Sequence, residues 1–412
     1  MKVAVPAEVL PGERRVAATP DTVAQMVGAG LEVVVQSGAG AHSSIPDSAY
    51  AAVGAEVVKA VDAGAVDVLL HVRPLSSRVP GRLREGAITI GLGSPSTELQ
   101  TVQALAAARV TSFALELVPR ISRAQSMDAL TSQALVAGYR SVIEASTRLP
   151  RFFPLFMTAA GTVPPASVLV LGAGVAGLQA IATAKRLGAK VSAYDVRPAS
   201  ADEVRSMGGT FVQLDLESVE GAGGYAREMG EDRAARQQEL LAPYVAAADV
   251  LITTAAIPGR AAPRLVTTEM VAAMKPGSVV VDLAAESGGN VEGSVPGQDV
   301  AVPVRPIEGQ VDHTGTVTLV GMKDGASSMP VDASRLYAKN VVNLLMLMTS
   351  DGQVVPDFGD EVVAGTCLTR DGAVQHAPTA ELLGLAPAAA PAAELEPTPP
   401  PPTPLPTQEA GS

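Results

Sequence analysis

Tryptophan is missing from this chain, and cysteine occurs once, at Cys367. A single thiol excludes an intramolecular disulfide and a cysteine-rich metal centre. His313 and His376 lack ligand spacing, so no metal is expected. Aromatic residues make up only 3% of the sequence, which suits an α/β protein built on Val, Ala and Leu. Positive charge is short as well: 30 Lys and Arg face 42 Asp and Glu, a net charge of −12. That balance argues against nucleic acid or an anionic membrane surface as a partner. No apolar run reaches the about 18 residues that span a bilayer, and Val341–Met348 is interrupted by Asn343. Met1-Lys2 leads directly into VAVP, too short for a signal-peptide core. The expectation is a cytoplasmic protein without a membrane span of its own.

What is present is enough apolar sequence for a large core. With 412 residues, 47% hydrophobic and 17% charged, the chain can hold two or three domains. Strand candidates at Lys2–Pro6, Leu31–Gln36, Val66–Val72, Ala87–Gly91 and Val110–Leu117 alternate with helices opening at Thr19-Pro20 and Ser96. This alternation predicts a mostly parallel sheet. Thr131–Leu149 carries Leu135, Val136, Tyr139, Val142 and Ile143 at helical spacing and can cross between domains. Further strands are expected at Thr210–Val212, Val250–Thr253 and Val279–Asp282. Asp332–Ser350, capped by Asp332, reads as a return helix. The first domain is then discontinuous, 1–135 with 325–380, around a second domain at 136–324. Asp371-Gly372 marks a hairpin. Nine of the 32 prolines lie between Pro387 and Pro406, so 386–412 is expected to be a disordered Pro/Ala-rich tail.

The stretch Val168–Asp195, VLVLGAGVAGLQAIATAKRLGAKVSAYD, has the order a dinucleotide site needs. Gly172 permits a tight strand-to-helix turn, Gly174 lets the backbone approach a pyrophosphate, and Gly177 lets helix pack closely on strand. Amides at the helix N-terminus then face the phosphates. Asp195 stands where a carboxylate accepts from the adenosine ribose hydroxyls. Glycine-rich turns also occur where nothing binds, but a strand before, a helix after and an acid at this distance make that the minority reading. Arg197 could meet a 2′-phosphate, yet Asp195 would repel one, so NAD(H) is favoured over NADP(H).

A second constellation, Pro119–Asp128 (PRISRAQSMD), follows the strand Thr111–Leu117 and precedes a helix. It sits at a strand's carboxyl end, where α/β proteins place ligands. Arg120, Gln125 and Asp128 offer a cation, an amide and a carboxylate. On chemistry alone, a solvated loop whose Asp128 caps the next helix is an equal alternative. Gly221–Arg236 (GAGGYAREMGEDRAAR) lacks apolar periodicity over its first half and reads as a surface loop able to act as a lid.

These segments, together with Val5-Pro6, Glu8, Gly12–Pro20, TAAGTVPPA and MKPGSVVVDLA, resemble the alanine dehydrogenase and nicotinamide nucleotide transhydrogenase family. The similarity runs from Lys2 to about His376. It implies an α/β fold of two Rossmann-like doubly wound parallel-sheet domains, with NAD(H) in the interdomain cleft. An amino-acid dehydrogenase of this family needs a cation and a histidine acid/base. Arg15 is present, but His71 stands at the pocket-lysine position, and the catalytic-histidine position reads Gly91-Leu92-Gly93. Hydride exchange between two nicotinamides needs no proton transfer, only placement. Resemblance to the transhydrogenase branch implies that Arg120, Gln125, Asp128 and Thr131 contact the nicotinamide and its ribose, with Gln125 nearest the incoming nucleotide. It assigns Gly172, Gly174, Val175, Gly177, Asp195, Val196, Arg197 and Ala256 to the rest of the cofactor. Gly224 and Tyr225 belong to the mobile loop, with Gln237 just beyond. The resemblance also implies NADP(H) on a partner subunit, a membrane-spanning proton-channel subunit, a homodimer, and peripheral membrane location through these partners. The alternatives are an alanine dehydrogenase-like enzyme and an NAD-sensing module, which would not require Gln125.

Overall fold

The computed structural model describes residues 1–216, 231–256, 259–305 and 314–386. Gly224, Tyr225, His313 and the tail from Pro387 lie outside the described residues. Two large sheets dominate the rest. The first is ordered Ala373–Val374, Cys367–Arg370, Thr111–Ala114, Ile88–Gly91, Val68–Leu70, Lys2–Val5, Glu32–Gln36, Glu56–Val58. Its six strands from residues 2–114 are parallel, and the two from the C-terminal part join antiparallel. The second is ordered Thr210–Phe211, Lys190–Tyr194, Ser167–Leu171, Val250–Thr253, Val279–Asp282, Thr316–Gly321, Asp299–Pro303. Only Asp299–Pro303 is antiparallel to its neighbour. Counting the parallel strands of each sheet in chain order, both run 3-2-1-4-5-6, the doubly wound Rossmann-like arrangement.

Strands covered on both faces should be apolar at every position, and the burial follows that rule. Val3 and Val5 enter one core while Ala4 enters another. Val168 and Val170 are separated in the same way from Leu169 and Leu171. The helix Ala129–Arg148 joins the two units, with Ala129 in the first core and Val142 and Ala145 in the second. Pro330–Leu347 returns the chain, placing Tyr337, Val341 and Leu345 in the first core. That helix starts before the expected Asp332 cap. Pro330 presets the first turn, Met329 holds the cap position, and Asp332 lies in the first turn, where its charge still suits the dipole.

The hairpin at Asp371-Gly372 forms with φ of 53° and 84°, the two positive values a type I′ turn requires. The expected loop Gly221–Arg236 ends early, because a helix already runs from Glu231 to Ala247. Its anchoring residues, Leu241 and Val245, lie further along than the charged run. Strands that escaped the periodicity reading include Glu56–Val58, Asp299–Pro303, and the exposed pair Phe156–Thr158 and Gly161–Val163. So did Thr316–Gly321, the last parallel strand of the second sheet. Among the described residues, no helix is long and apolar enough to cross a membrane.

Candidate functional site

The strand Ser167–Leu171 ends on Gly172, whose φ of +100° is closed to L side chains. A Cβ there would also stand 2.6 Å from Thr254 Oγ1, and one on Gly177 would collide with the Gly172 carbonyl oxygen. These two glycines therefore let the helix Val175–Arg186 lie close to its strand. Gly174 differs. It is the N-cap of that helix, and a Cβ on it would meet nothing within 4 Å among the described residues. The open space beside it is the cradle an anion on the helix N-terminus requires.

Asp195 follows the strand Lys190–Tyr194, and its carboxylate is buried. Ala173 N donates to Oδ2 at 2.7 Å, Arg197 N and Nε donate to Oδ1 at 2.9 Å, and Arg197 Nη2 donates to Oδ2 at 3.0 Å. Four donors fill the four acceptor positions of a carboxylate. Arg197 is thus folded back on Asp195, and its guanidinium holds acceptor positions on both carboxylate oxygens. Next to Asp195 lies a hollow of about 30 Å³ lined by Tyr194, Val196, Phe211, Leu214 and Arg233. Gln237 is buried against the Tyr194 hydroxyl, and its Nε2, like Arg233 Nε, has no hydrogen-bond partner among the described residues. Buried donors left without acceptors fit a polar ligand on this side of the site.

Across from this turn, Ser122–Met127 forms a 3-10 turn. Ala124 and Met127 are buried as its anchors, which leaves Arg120 and Gln125 exposed. Asp128 does cap the following helix: Thr131 N donates to Oδ1 at 2.8 Å, and Thr131 Oγ1 donates to Oδ2 at 2.6 Å. The capping alternative is therefore present, and it ties Asp128 and Thr131 into one unit. Further along the same helix, Gly138 touches the N-terminal turn of Val175–Arg186. A Cβ on Gly138 would fall on the Ala176 carbonyl, 2.8 Å from its carbon. Thr131 and Gly138 are about 10 Å apart along the helix at 1.5 Å per residue. One helix thus follows directly on the Gln125 loop and, about 10 Å further along, meets the helix that opens at the glycine turn.

Asn290 was not among the expected residues. Its Nδ2 donates to Ala255 O and Pro263 O at 2.8 Å, and its Oδ1 accepts from Ala255 N at 3.0 Å. It fixes the loop that carries Ala256, which is exposed. Nothing in the local SGGN sequence announces this work, because its partners are backbone groups far along the chain.

A separate buried polar cluster is built around Arg15. Arg15 donates through Nε and Nη2 to both oxygens of Glu13 and through Nη1 to Gln133 Oε1, 5.9 Å from the Tyr337 ring centre. Burial alone would raise Glu13, but the hydrogen bonds and charge of Arg15 outweigh it and hold the carboxyl at about 2. Burial lifts Glu8 to about 7, against hydrogen bonds from Val72 N and Arg73 N. Arg73 pairs with Glu13 and with Asp324, and Asp324 N donates to Glu286 Oε2 at 2.9 Å. His71 Nδ1 donates to Arg73 O at 2.7 Å, Nε2 has no hydrogen-bond partner among the described residues, and burial pulls the imidazole down to about 4. A Cβ on Gly91 would run into the His71 ring. The histidine fills the space that a side chain at 91 would need.

Two family models cover most of the chain: the alanine dehydrogenase/PNT N-terminal domain over residues 4–137 and the C-terminal domain over 141–377. An NAD(P) transhydrogenase subunit alpha polypeptide of Rhodospirillum rubrum is 47% identical over 388 residues, 91% of this chain and 98% of that protein. The alanine dehydrogenase of Mycolicibacterium smegmatis is 35% identical over 301 residues, 72% and 76% of the two. A crystal structure of transhydrogenase from Sinorhizobium meliloti superposes with a TM-score of 0.78 at 45% identity, covering 91% of this chain and 99% of that one.

Proposed function

Because the chain belongs to the alanine dehydrogenase/PNT family, we propose that it is the NAD(H)-binding subunit of a proton-translocating transhydrogenase. Hydride passes directly between NAD(H) in this cleft and NADP(H) on a partner subunit, and a membrane-spanning subunit couples the exchange to proton movement. The observation that carries the reading is the fixed spacing of an exposed Gln125 loop and an open Gly174 cradle on helices that touch at Gly138.

The bound nicotinamide supplies the hydride. The residues of this chain bind and orient. Amides at Gly174 and Val175 hold the pyrophosphate, Asp195 takes the adenosine ribose, and the Asp128–Thr131 pair takes the second ribose with Arg120. Gln125 orients the carboxamide on the face open to the partner, where placement alone is worth many powers of ten in rate. No proton donor is needed, and the cation and the histidine that a keto-acid enzyme of this family would use are both committed elsewhere. Arg15 is engaged by Glu13, and His71 is neutral and walled in. This opposes the alanine dehydrogenase reading. Exposed Phe152, Leu155, Phe156 and Met157, on and beside the hairpin 156–163, support a homodimer that covers them.

The test is hydride transfer in a complex reconstituted with an NADP(H)-binding transhydrogenase subunit. The native chain should support NADH-to-NADP⁺ transfer and no alanine oxidation. Gln125→Asn should keep NADH affinity within about threefold and slow transfer on the order of 10²-fold. Alanine-dependent NAD⁺ reduction by the chain alone would overturn the proposal.

A further inference from the structure

The loop that carries Gln125 is held in place by residues from a region of the chain more than two hundred positions away. Asn340 Nδ2 and Asn343 Nδ2 both donate to the Ser126 carbonyl oxygen, at 2.9 and 3.0 Å. They stand one turn apart on Pro330–Leu347, on the face turned to the loop. Asn340 is buried, and its Oδ1 accepts from Ser132 Oγ at 2.7 Å, so it also braces the start of the helix after the loop. On the other flank, Arg123 forks onto Asp360, Nη1 to Oδ2 at 2.7 Å and Nη2 to Oδ1 at 2.8 Å. Asp360 is itself fixed as the N-cap of Glu361–Thr366, accepting from Val362 N at 2.7 Å. That short helix lies under the loop, where a Cβ on Gly365 would be 3.3 Å from Pro119 Cγ.

Gln125 sits between the two grips, two residues after Arg123 and one before Ser126. A bidentate pair fixes direction as well as distance, and two amide donors on the Ser126 carbonyl fix the Ser126–Met127 peptide, one residue beyond Gln125. We infer that Asn340, Asn343 and Asp360 are positioning residues of the transfer site: they set the register of Gln125 against the nicotinamide without touching it. This rests on the reading of Gln125 given above. It assigns Pro330–Leu347 and Glu361–Thr366 a role in rate beyond completing the first core.

The variants are chosen to keep the fold. Asp360→Asn retains a good N-cap for Glu361–Thr366 but removes the bidentate carboxylate on Arg123, leaving only the looser contact of its Nε with Glu361 at 3.5 Å. Asn343→Ala leaves Asn340 on the Ser126 carbonyl. Three quantities are measured in the reconstituted complex: the single-turnover transfer rate at saturating nucleotides, the NADH dissociation constant, and the thermal midpoint of the chain. The double variant should transfer on the order of tenfold more slowly, with NADH affinity within about twofold and a midpoint near native. A native rate overturns the inference, and so does a rate loss matched by equal losses in affinity and midpoint, which marks a merely structural role. Gln125→Asn runs alongside. If it slows transfer and the double variant does not, the positioning inference alone fails. If Gln125→Asn itself transfers at the native rate, the reading beneath it fails and takes the inference with it.

Discussion

Replacing Gly138 by Ala adds one methyl group at the point where two helices meet backbone to backbone. The new Cβ would fall on the Ala176 carbonyl oxygen, with the Ala176 carbon at 2.8 Å and its Cα at 2.9 Å. Carbon atoms rest at about 3.5–4.0 Å, so the helices must part by something on the order of 1 Å. Overpacking of this kind costs about 1–3 kcal/mol, and alanine returns roughly 1 kcal/mol of helix propensity. The stability loss should therefore be modest, about 0–2 kcal/mol. The rate should suffer more, because the helix pushed aside carries Thr131 at one end and meets the glycine turn at the other. A displacement of about 1 Å between those halves should cost roughly 10- to 100-fold in hydride transfer. Thermal unfolding and single-turnover transfer in the reconstituted complex give both numbers. Gly28→Ala, where a Cβ meets nothing within 4 Å, serves as the control and should leave both near native. If Gly138→Ala transfers at the native rate, the helix crossing does not set the spacing of the site.

Three further outcomes follow from the same geometry. NADH should bind far better than NADPH in equilibrium dialysis, since a 2′-phosphate would meet the Asp195 carboxylate; equal affinity would refute the assignment. Arg197→Ala frees acceptor positions on Asp195 and should leave NADH affinity equal or higher, whereas a tenfold loss would show that the guanidinium itself binds cofactor. His71 titrates at about 4 when folded and near 6.5 when unfolded. Its contribution is fully present above 6.5 and is lost as pH falls towards 4, on the order of 2–3 kcal/mol by pH 4.5. In urea titrations His71→Asn should lose less stability than the native chain between pH 6.5 and 4.5, and parallel losses would refute the account.

Much of this protein is legible along the chain because the signals are local. The strand-to-helix turn at Gly172, the β run at Val250–Thr253 and the Asp371-Gly372 hairpin depend on neighbours within a few residues, where φ preference and apolar runs speak directly. The short strand Glu56–Val58 and the edge strand Asp299–Pro303 were not legible, since their pairing partners are remote and their own residues mix polar with apolar. Pro330 overrode Asp332 at a helix start because a preset φ and burial of the first turn outweigh a side-chain cap. The candidate residues Gly172, Gly174, Asp195, Gln125 and Asp128 could be named from sequence, since each has a motif around it. Their relations could not. Sequence alone determined the dinucleotide turn, the parallel α/β plan and the family. Tertiary structure decided that Arg197 spends itself on Asp195, that His71 fills the void at Gly91, and that Asn290, Asn340 and Asp360 steady loops far from them in sequence. These are contacts between side chains and distant backbone, and a linear pattern carries no record of distance in space.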